Sequence, residues 1–277
     1  MKHNIDVIAE IVNRSVGKDI LVFDPPYLQK MLAKRVEFHS FVDTTAYIEF
    51  LESNLSEVLA FYESLLNTYT TFFRNPLTFA YLEQVLFPAM ISQRNHTNSA
   101  IRIWSSGCAT GQEAYSIAMI LDEVISRMDS SCTYSIFATD VSSAALETAR
   151  LGRYQNDGFL NLRMRQRDDY FEPRGDAFEV SSRIKEHVDF SYYDMLNEGS
   201  VCPPPCIYGD LDLAFCSNVL FYYRRDVRAA VIRKLHRCLS PEGYFISDEA
   251  EREDILSSGI FDQTAAFLPV FSPIIAR

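Results

Sequence analysis

The chain has 277 residues, 48% hydrophobic and 23% charged, and its 37 Asp and Glu against 26 Lys and Arg give a formal net charge of −11. That balance describes a globular protein with a full core and argues against general nucleic-acid binding, which needs a basic footprint. No apolar run is long enough to span a bilayer, and the opening MKHNIDVIAEIV lacks an apolar core followed by a cleavage site. The expectation is therefore a cytoplasmic protein without membrane insertion.

The first ninety or so residues carry helix periodicity and almost no strand signal. Leu28, Met31, Leu32, Arg35 and Val36 mark one amphipathic helix, and Tyr47, Ile48 and Leu51 a second. Leu55, Val58, Leu59, Tyr62, Leu65 and Leu66 form a third stripe. Pro76 then stands where a first helical turn tolerates it, ahead of Phe79, Leu82 and Leu86. Residues 1–91 read as a small helical domain, and the polar 92–99 stretch, SQRNHTNS, as a linker to a second domain over 100–277.

Beyond the linker, strands are predicted at 101–105, 133–139, 187–190, 211–216 and 243–247, with a last pair near 259–275. Helices are predicted between them, at about 112–127, 143–151 and 226–239. Such alternation predicts an α/β fold with a mostly parallel sheet covered on both faces. Residues 152–186 break the rhythm with charged, short alternating pieces such as Phe178-Glu-Val180, and read as an inserted antiparallel lobe.

Six cysteines stand at 108, 132, 202, 206, 216 and 238. They read as reduced and mostly buried. Cys202-Pro-Pro-Pro-Cys206 is the only close pair, and no second Cys or His pair lies nearby in sequence to complete a zinc site. No metal is expected.

Ile101–Ile125 is the most informative stretch. An apolar strand meets the small-residue loop Gly107-Cys-Ala-Thr-Gly111, and an amphipathic helix follows at once. Strand, glycine turn and helix in that order form the first half of a nucleotide-type site, where missing Cβ atoms let a ligand approach the backbone. The loop lacks full G-x-G-x-x-G spacing and has no Lys-Ser/Thr for phosphates. A smaller adenosyl ligand such as S-adenosylmethionine fits it better than a dinucleotide or NTP.

Seven motifs then line up in order: TTFFRNP (70–76), WSSGCATGQEAYSIA (104–118), FATD (137–140), LETARLGRY (146–154), VDFSYYDML (188–196), FCSNVLFYY (215–223) and LSPEGYFISDEAE (239–251). The ordered set resembles the CheR family of chemoreceptor methyltransferases from about residue 15 to 250. The resemblance implies an all-α N-terminal domain, a Rossmann-like class I methyltransferase domain and a small β-subdomain inserted at 152–186. It also implies methyl transfer from S-adenosylmethionine, leaving S-adenosylhomocysteine, to glutamate side chains on the cytoplasmic helices of chemotaxis receptors.

The resemblance also suggests a site. Asp140 ends the second strand, where a carboxylate can take both ribose hydroxyls; the plainer reading has it start the next helix. Glu113 matches a cofactor-contacting position, and it also has capping-box spacing with Thr110. Thr68, Thr70 and Arg74 belong to the segment that reaches the cofactor in the family, and Arg74 could clamp a carboxylate bidentately. Gly107 lies in the cofactor loop. Asp194 and Met195 stand where the family usually has Asn-Leu, with Asp accepting from an adenine amino group and Met packing on the ring. Cys216 and Ser217 end the fourth strand, with serine where the family pattern has arginine. Tyr222 matches a tyrosine near the transferred methyl, so Arg74 and Tyr222 are the expected catalytic residues.

No catalytic base is needed under this reading, because a glutamate carboxylate is already anionic at neutral pH. Lys30, Lys34 and Arg35 form the basic helix edge that matches the family's receptor-recognition helix, and Arg163, Arg165, Arg167 and Arg174 form a second cluster in the inserted lobe. Ser217, the thin basic edge and the acid balance motivate a rival reading, a non-catalytic S-adenosylmethionine-binding sensor or adaptor. A third keeps the enzyme and changes the acceptor to a small acid or another protein.

Overall fold

The computed structural model describes residues 2–94, 99–206 and 209–275. Two compact units divide the chain, one from residues 1–67 with 219–228 and one from 68–218 with 229–277.

The first unit is helical. It contains α1 (Lys2–Val16), α2 (Pro25–Phe38), α3 (Thr44–Ser53) and α4 (Leu55–Leu65). Pro25 and Pro26 open α2, where a missing N–H costs nothing, and Asp43 and Asn54 cap α3 and α4 through their side chains. Of the expected stripes, Leu28, Tyr47, Leu51, Val58 and Leu65 are essentially inaccessible, whereas Leu55 and Leu59 at the start and middle of α4 are exposed and Phe61, outside the expected stripe, is buried in their place. Arg35, expected on an open basic edge, instead turns to Glu57, donating to both carboxylate oxygens at 2.9 and 2.5 Å. Tyr47 and His39 contact the same carboxylate at 2.7 and 2.8 Å. Lys30 and Lys34 remain exposed.

The second unit begins at Thr68, well before the polar stretch expected as a linker. The reason is apolar: α5 (Pro76–Tyr81), a π-helical turn (Leu82–Leu86) and α6 (Phe87–Arg94) bury Phe79, Leu82, Leu86, Phe87 and Ile91 in the same core as the sheet. Ser92–Arg94 finish α6, and residues 95–98 lie outside the described residues.

Then follow β1 (Ile101–Ser106), α7 (Gln112–Arg127), β2 (Tyr134–Asp140), α8 (Ser143–Leu151), β3 (Arg153–Tyr154), α9 (Met164–Tyr170), β4 (Phe171–Arg174), β5 (Ala177–Val180) and α10 (Ser182–Lys185). The chain continues through β6 (Val188–Tyr192), β7 (Leu211–Phe215), α11 (Arg225–Cys238), β8 (Leu239–Ile246), α12 (Arg252–Ser257), β9 (Phe261–Gln263) and β10 (Val270–Pro273).

The main sheet has seven strands in the order β6-β2-β1-β7-β8-β10-β9. The pairs among β6, β2, β1, β7 and β8 are parallel, and β10 is antiparallel to both its neighbours. All five residues of β7 are buried. Side chains alternate across a strand, so this burial means both faces are covered, as the continuous apolar run LDLAF predicts. The fold is the expected α/β arrangement, and the predicted strands and helices stand within a few residues of their places. Residues 152–186 form a separate three-stranded antiparallel sheet, β3-β5-β4, flanked by α9 and α10.

The lobe's arginines do not form an open basic patch. Arg163 pairs with Glu83 at 2.7 Å, Arg165 with Asp169 at 3.2 Å, Arg167 with Asp168 at 3.1 Å and Arg174 with Glu172 at 3.0 Å. Among the described residues no group of three or more His, Cys, Asp or Glu is arranged to hold a metal ion, and no helix is long and apolar enough to cross a membrane.

Candidate active site

Strand β1 lies centrally, and the chain leaves it toward β2 on one side and is joined by β7 on the other. In open α/β sheets this reversal opens a crevice at the carboxyl ends of the strands. The loop Gly107–Gly111 stands there. Gly107 has φ +71° and Gly111 φ +94°. A Cβ at Gly111 would stand 2.8 Å from Ala149 Cβ and 3.0 Å from Phe190 Cζ, so both backbone angle and space demand glycine.

Asp140 ties the loop to the end of β2. One carboxylate oxygen accepts from the Ala109 N–H and the other from the Ser142 N–H, each at 2.8 Å. Burial raises its pKa, while the amides of Ser142, Ala109 and Val141 act to lower it. The capping role is taken by Ser142, whose side chain accepts from Ala145 at the start of α8. A carboxylate offers about four acceptor sites, more than these amides use.

Glu113 makes no capping box. Thr110 Oγ1 donates instead to Gln112 Oε1 at 2.7 Å, and Gly111 occupies the cap position without a side-chain bond. Glu113 accepts the Ser105 hydroxyl at 2.7 Å. Burial pushes its pKa up to about 7; the Ser105 hydrogen bond and the Arg74 charge oppose this and the Glu251 charge adds to it. Arg74 also donates to the Tyr69 carbonyl at 3.1 Å, which pins the 69–74 turn. Thr68 and Thr70, in the same segment, are partly exposed.

Met195 is buried, and its sulfur accepts from the Ser106 hydroxyl, bringing the end of β6 to the end of β1. Asp194 is partly exposed and accepts from the Leu196 N–H at 2.9 Å. Cys216 is wholly buried; burial foremost, then the charges of Glu251 and Glu113, keep its thiol protonated. Its carbonyl and N–H bond to Ser247 and Ile246, so it builds the wall of the site. Ser217 follows, partly exposed.

The structure therefore brings Gly107, Glu113, Asp140, Met195 and Cys216 together around the ends of β1, β2, β6 and β7, with Arg74 in electrostatic reach of Glu113. Tyr222 falls in the first unit. There its hydroxyl accepts from Asn67 and its ring packs 4.8 Å from that of Tyr27.

Two features escaped the sequence reading. Glu251 is fully buried, and its carboxylate accepts from the Ser247 hydroxyl and from the N–H groups of Asp248 and Asn218, joining the ends of β7 and β8. It lies within the LSPEGYFISDEAE segment, which was the available signal. In addition, Phe73, Ala109 and Asn218 hold left-handed angles (φ +51°, +49° and +61°) that cost non-glycine residues energy. Each adjoins Arg74 or Ser217, or donates to Asp140 or Glu251.

A Rossmann-like domain whose glycine turn, Asp140 and Met195 gather at the carboxyl ends of β1, β2 and β6 has the arrangement of an adenosyl-cofactor enzyme. Residues 68–257 match the CheR methyltransferase, SAM-binding domain model, and the chain belongs to that family. Its cofactor is S-adenosylmethionine.

The chain is 28% identical over 254 residues to the chemotaxis protein methyltransferase of Borreliella burgdorferi, covering 90% of this chain and 88% of that protein. It is 27% identical over 250 residues to the chemotaxis protein methyltransferase of Escherichia coli, covering 88% and 82%. It is also 29% identical over 244 residues to an uncharacterized 104.1 kDa protein of Rhodobacter capsulatus, and there it covers 88% of this chain and spans 25% of that protein's length.

Proposed function

We propose that this protein transfers the methyl group of S-adenosylmethionine to glutamate carboxylates on the cytoplasmic helices of chemotaxis receptors, acting in the cytoplasm. The observation that carries the reading is the Asp140 carboxylate, fixed by two backbone amides at the end of β2 with acceptor sites to spare. The names of the Borreliella and Escherichia relatives support the choice of acceptor.

Bound S-adenosylmethionine supplies an electrophilic methyl on a sulfonium. The chain's residues bind and orient it: Asp140 holds the ribose, Met195 and Asp194 the adenine, and Gly107 leaves the loop backbone open. Glu113, within electrostatic reach of Arg74, meets the cofactor's charged end. The receptor glutamate needs no base, because it arrives as an anion; what the site contributes is alignment and partial exclusion of water. Arg74 is the residue we assign to the reacting centre. The exposed Lys30 and Lys34 on α2 offer positive charge to an acidic receptor helix, without Arg35, which Glu57 holds.

The test is methylation of a receptor cytoplasmic fragment with methyl-labelled cofactor. Label released by mild alkali and located on glutamates is expected. Alkali-stable label, or cofactor binding with no transfer to any receptor fragment, would overturn the acceptor assignment.

A further inference from the structure

Outside the active site, the loop between β6 and β7 meets the end of α11 through two thiols. Cys202 Sγ and Cys238 Sγ are 2.7 Å apart, across 36 residues of sequence. Their bond length in a disulfide would be about 2.05 Å, so the two need only a slight approach. The surroundings hold them there. Cys238 Sγ also lies 3.1 Å from the Val201 carbonyl. Gly209 packs against the pair, and a Cβ there would stand 3.3 Å from the Cys238 carbonyl and 3.4 Å from Cys202 Sγ.

Three prolines separate Cys202 from Cys206 and fix the backbone φ angles between them, and Cys202 meets Cys238 of α11. Cys202 is 5% exposed, Cys206 1% and Cys238 inaccessible, so a small oxidant meets Cys202 first.

We propose that Cys202 and Cys238 are a reversible disulfide-forming site whose oxidant is a peroxide. The Cys202 thiolate attacks a peroxide oxygen; the O–O bond breaks, a sulfenic acid forms and the first water leaves. The Cys238 sulfur then attacks the sulfenic sulfur; the S–S bond forms, the S–O bond breaks and a second water carries away the Cys238 proton. Two thiols and one hydrogen peroxide give one disulfide and two waters. The assignment of roles agrees with the local fields. The hydrogen bond from Cys238 lowers the Cys202 pKa, helped by Arg102, Arg237 and Lys234 and opposed by burial, while Cys238 is held high by the same hydrogen bond and by burial.

The loop that would be fastened also carries Asp194 and Met195. Lys234 of α11 already donates to the Asn197 carbonyl and to the Tyr193 hydroxyl, and Tyr193 donates to the Ser200 carbonyl at 3.1 Å. Closing the bond therefore acts on the segment assigned to the adenine, a consequence that rests on the function proposed above.

The experiment uses the full chain, reduced with dithiothreitol and then given a few equivalents of hydrogen peroxide, in two parallel readouts. Peptide mapping without reduction is expected to find a Cys202–Cys238 crosslink in most molecules, reversed by dithiothreitol and retained in Cys206→Ser. Calorimetry is expected to show the S-adenosylmethionine Kd changing at least threefold on oxidation of the wild type and of Cys206→Ser, and not in Cys202→Ser or Cys238→Ser.

A crosslink through Cys206 or Cys132, or over-oxidation to sulfinic acid without a crosslink, would overturn the proposal, and an unchanged Kd in the crosslinked protein would refute its coupling to the adenine segment. Two serine variants guard against one failing to fold. Reduced protein that binds no S-adenosylmethionine would refute the proposed function instead, and the crosslink alone would then decide the disulfide.

Discussion

Glu57 and Glu113 are glutamates drawn out of water in different compact units, and their surroundings treat them in opposite ways. Burial would raise the pKa of Glu57, but hydrogen bonds from Arg35, Tyr47 and His39 outweigh it and hold the carboxyl below its usual range. Glu113 has one hydroxyl partner, Ser105, and a more distant Arg74, and burial carries it up to about 7. The first carboxylate is saturated by its own helices and serves folding. The second is desolvated without a matching cation in contact, the condition in which a charged ligand is attracted to a site.

Removing a partner from a saturated buried ion pair leaves uncompensated charge, which typically costs about 3–5 kcal/mol. Glu57→Ala is accordingly expected to lower stability by that amount in denaturant unfolding, while S-adenosylmethionine affinity measured on the folded fraction stays within about twofold. A cofactor affinity that fell in step with stability would erase the contrast between the two glutamates.

Asp140→Ala probes the ligand side. Losing charge-assisted hydrogen bonds of about 1.5–3 kcal/mol each is expected to weaken cofactor binding on the order of a hundredfold or more in calorimetry. An unchanged Kd would remove Asp140 from the site.

The titration of Glu113 sharpens the comparison. Its folded pKa of about 7 lies above the ordinary 4.5, so between these values the folded state holds more protons than the unfolded state. Its contribution to stability therefore falls as pH rises through that window, and Glu113→Gln should flatten that part of the profile. Affinity for the positively charged cofactor should rise over the same range as the carboxylate ionises. A pH-independent Kd from 5 to 8, with the calorimetric ionisation heat corrected for buffer, would contradict the assignment. Smallest of all, Arg165→Ala and Arg167→Ala in the inserted lobe break exposed pairs and should each change stability by less than about 0.5 kcal/mol.

Much of the fold was legible because it follows local rules. Apolar stripes at helical spacing gave α2, α3 and α4, continuous apolar runs gave β1, β2 and β7, and Gly107 and Gly111 marked the turn between β1 and α7. The candidate site was legible where a residue's place depends on its strand, as with Asp140 at the end of β2. It was not legible for Glu251, whose importance arises from bringing the ends of β7 and β8 together, nor for the left-handed angles of Phe73, Ala109 and Asn218. The polar 92–99 stretch misled because polarity reports solvent contact, whereas the boundary at Thr68 is set by which core Phe79, Leu82 and Phe87 enter.

The alternation of strands and helices, the parallel sheet and the glycine turn follow from the amino-acid order, because periodicity and backbone freedom act over a few residues. How the charges are used depends on the packed fold. It turned Arg35 inward to Glu57, neutralised Arg163, Arg165, Arg167 and Arg174 with acids, and left Glu113 poorly matched at the end of β1. Pairing and desolvation depend on which groups distant in sequence meet, and on how much water remains between them.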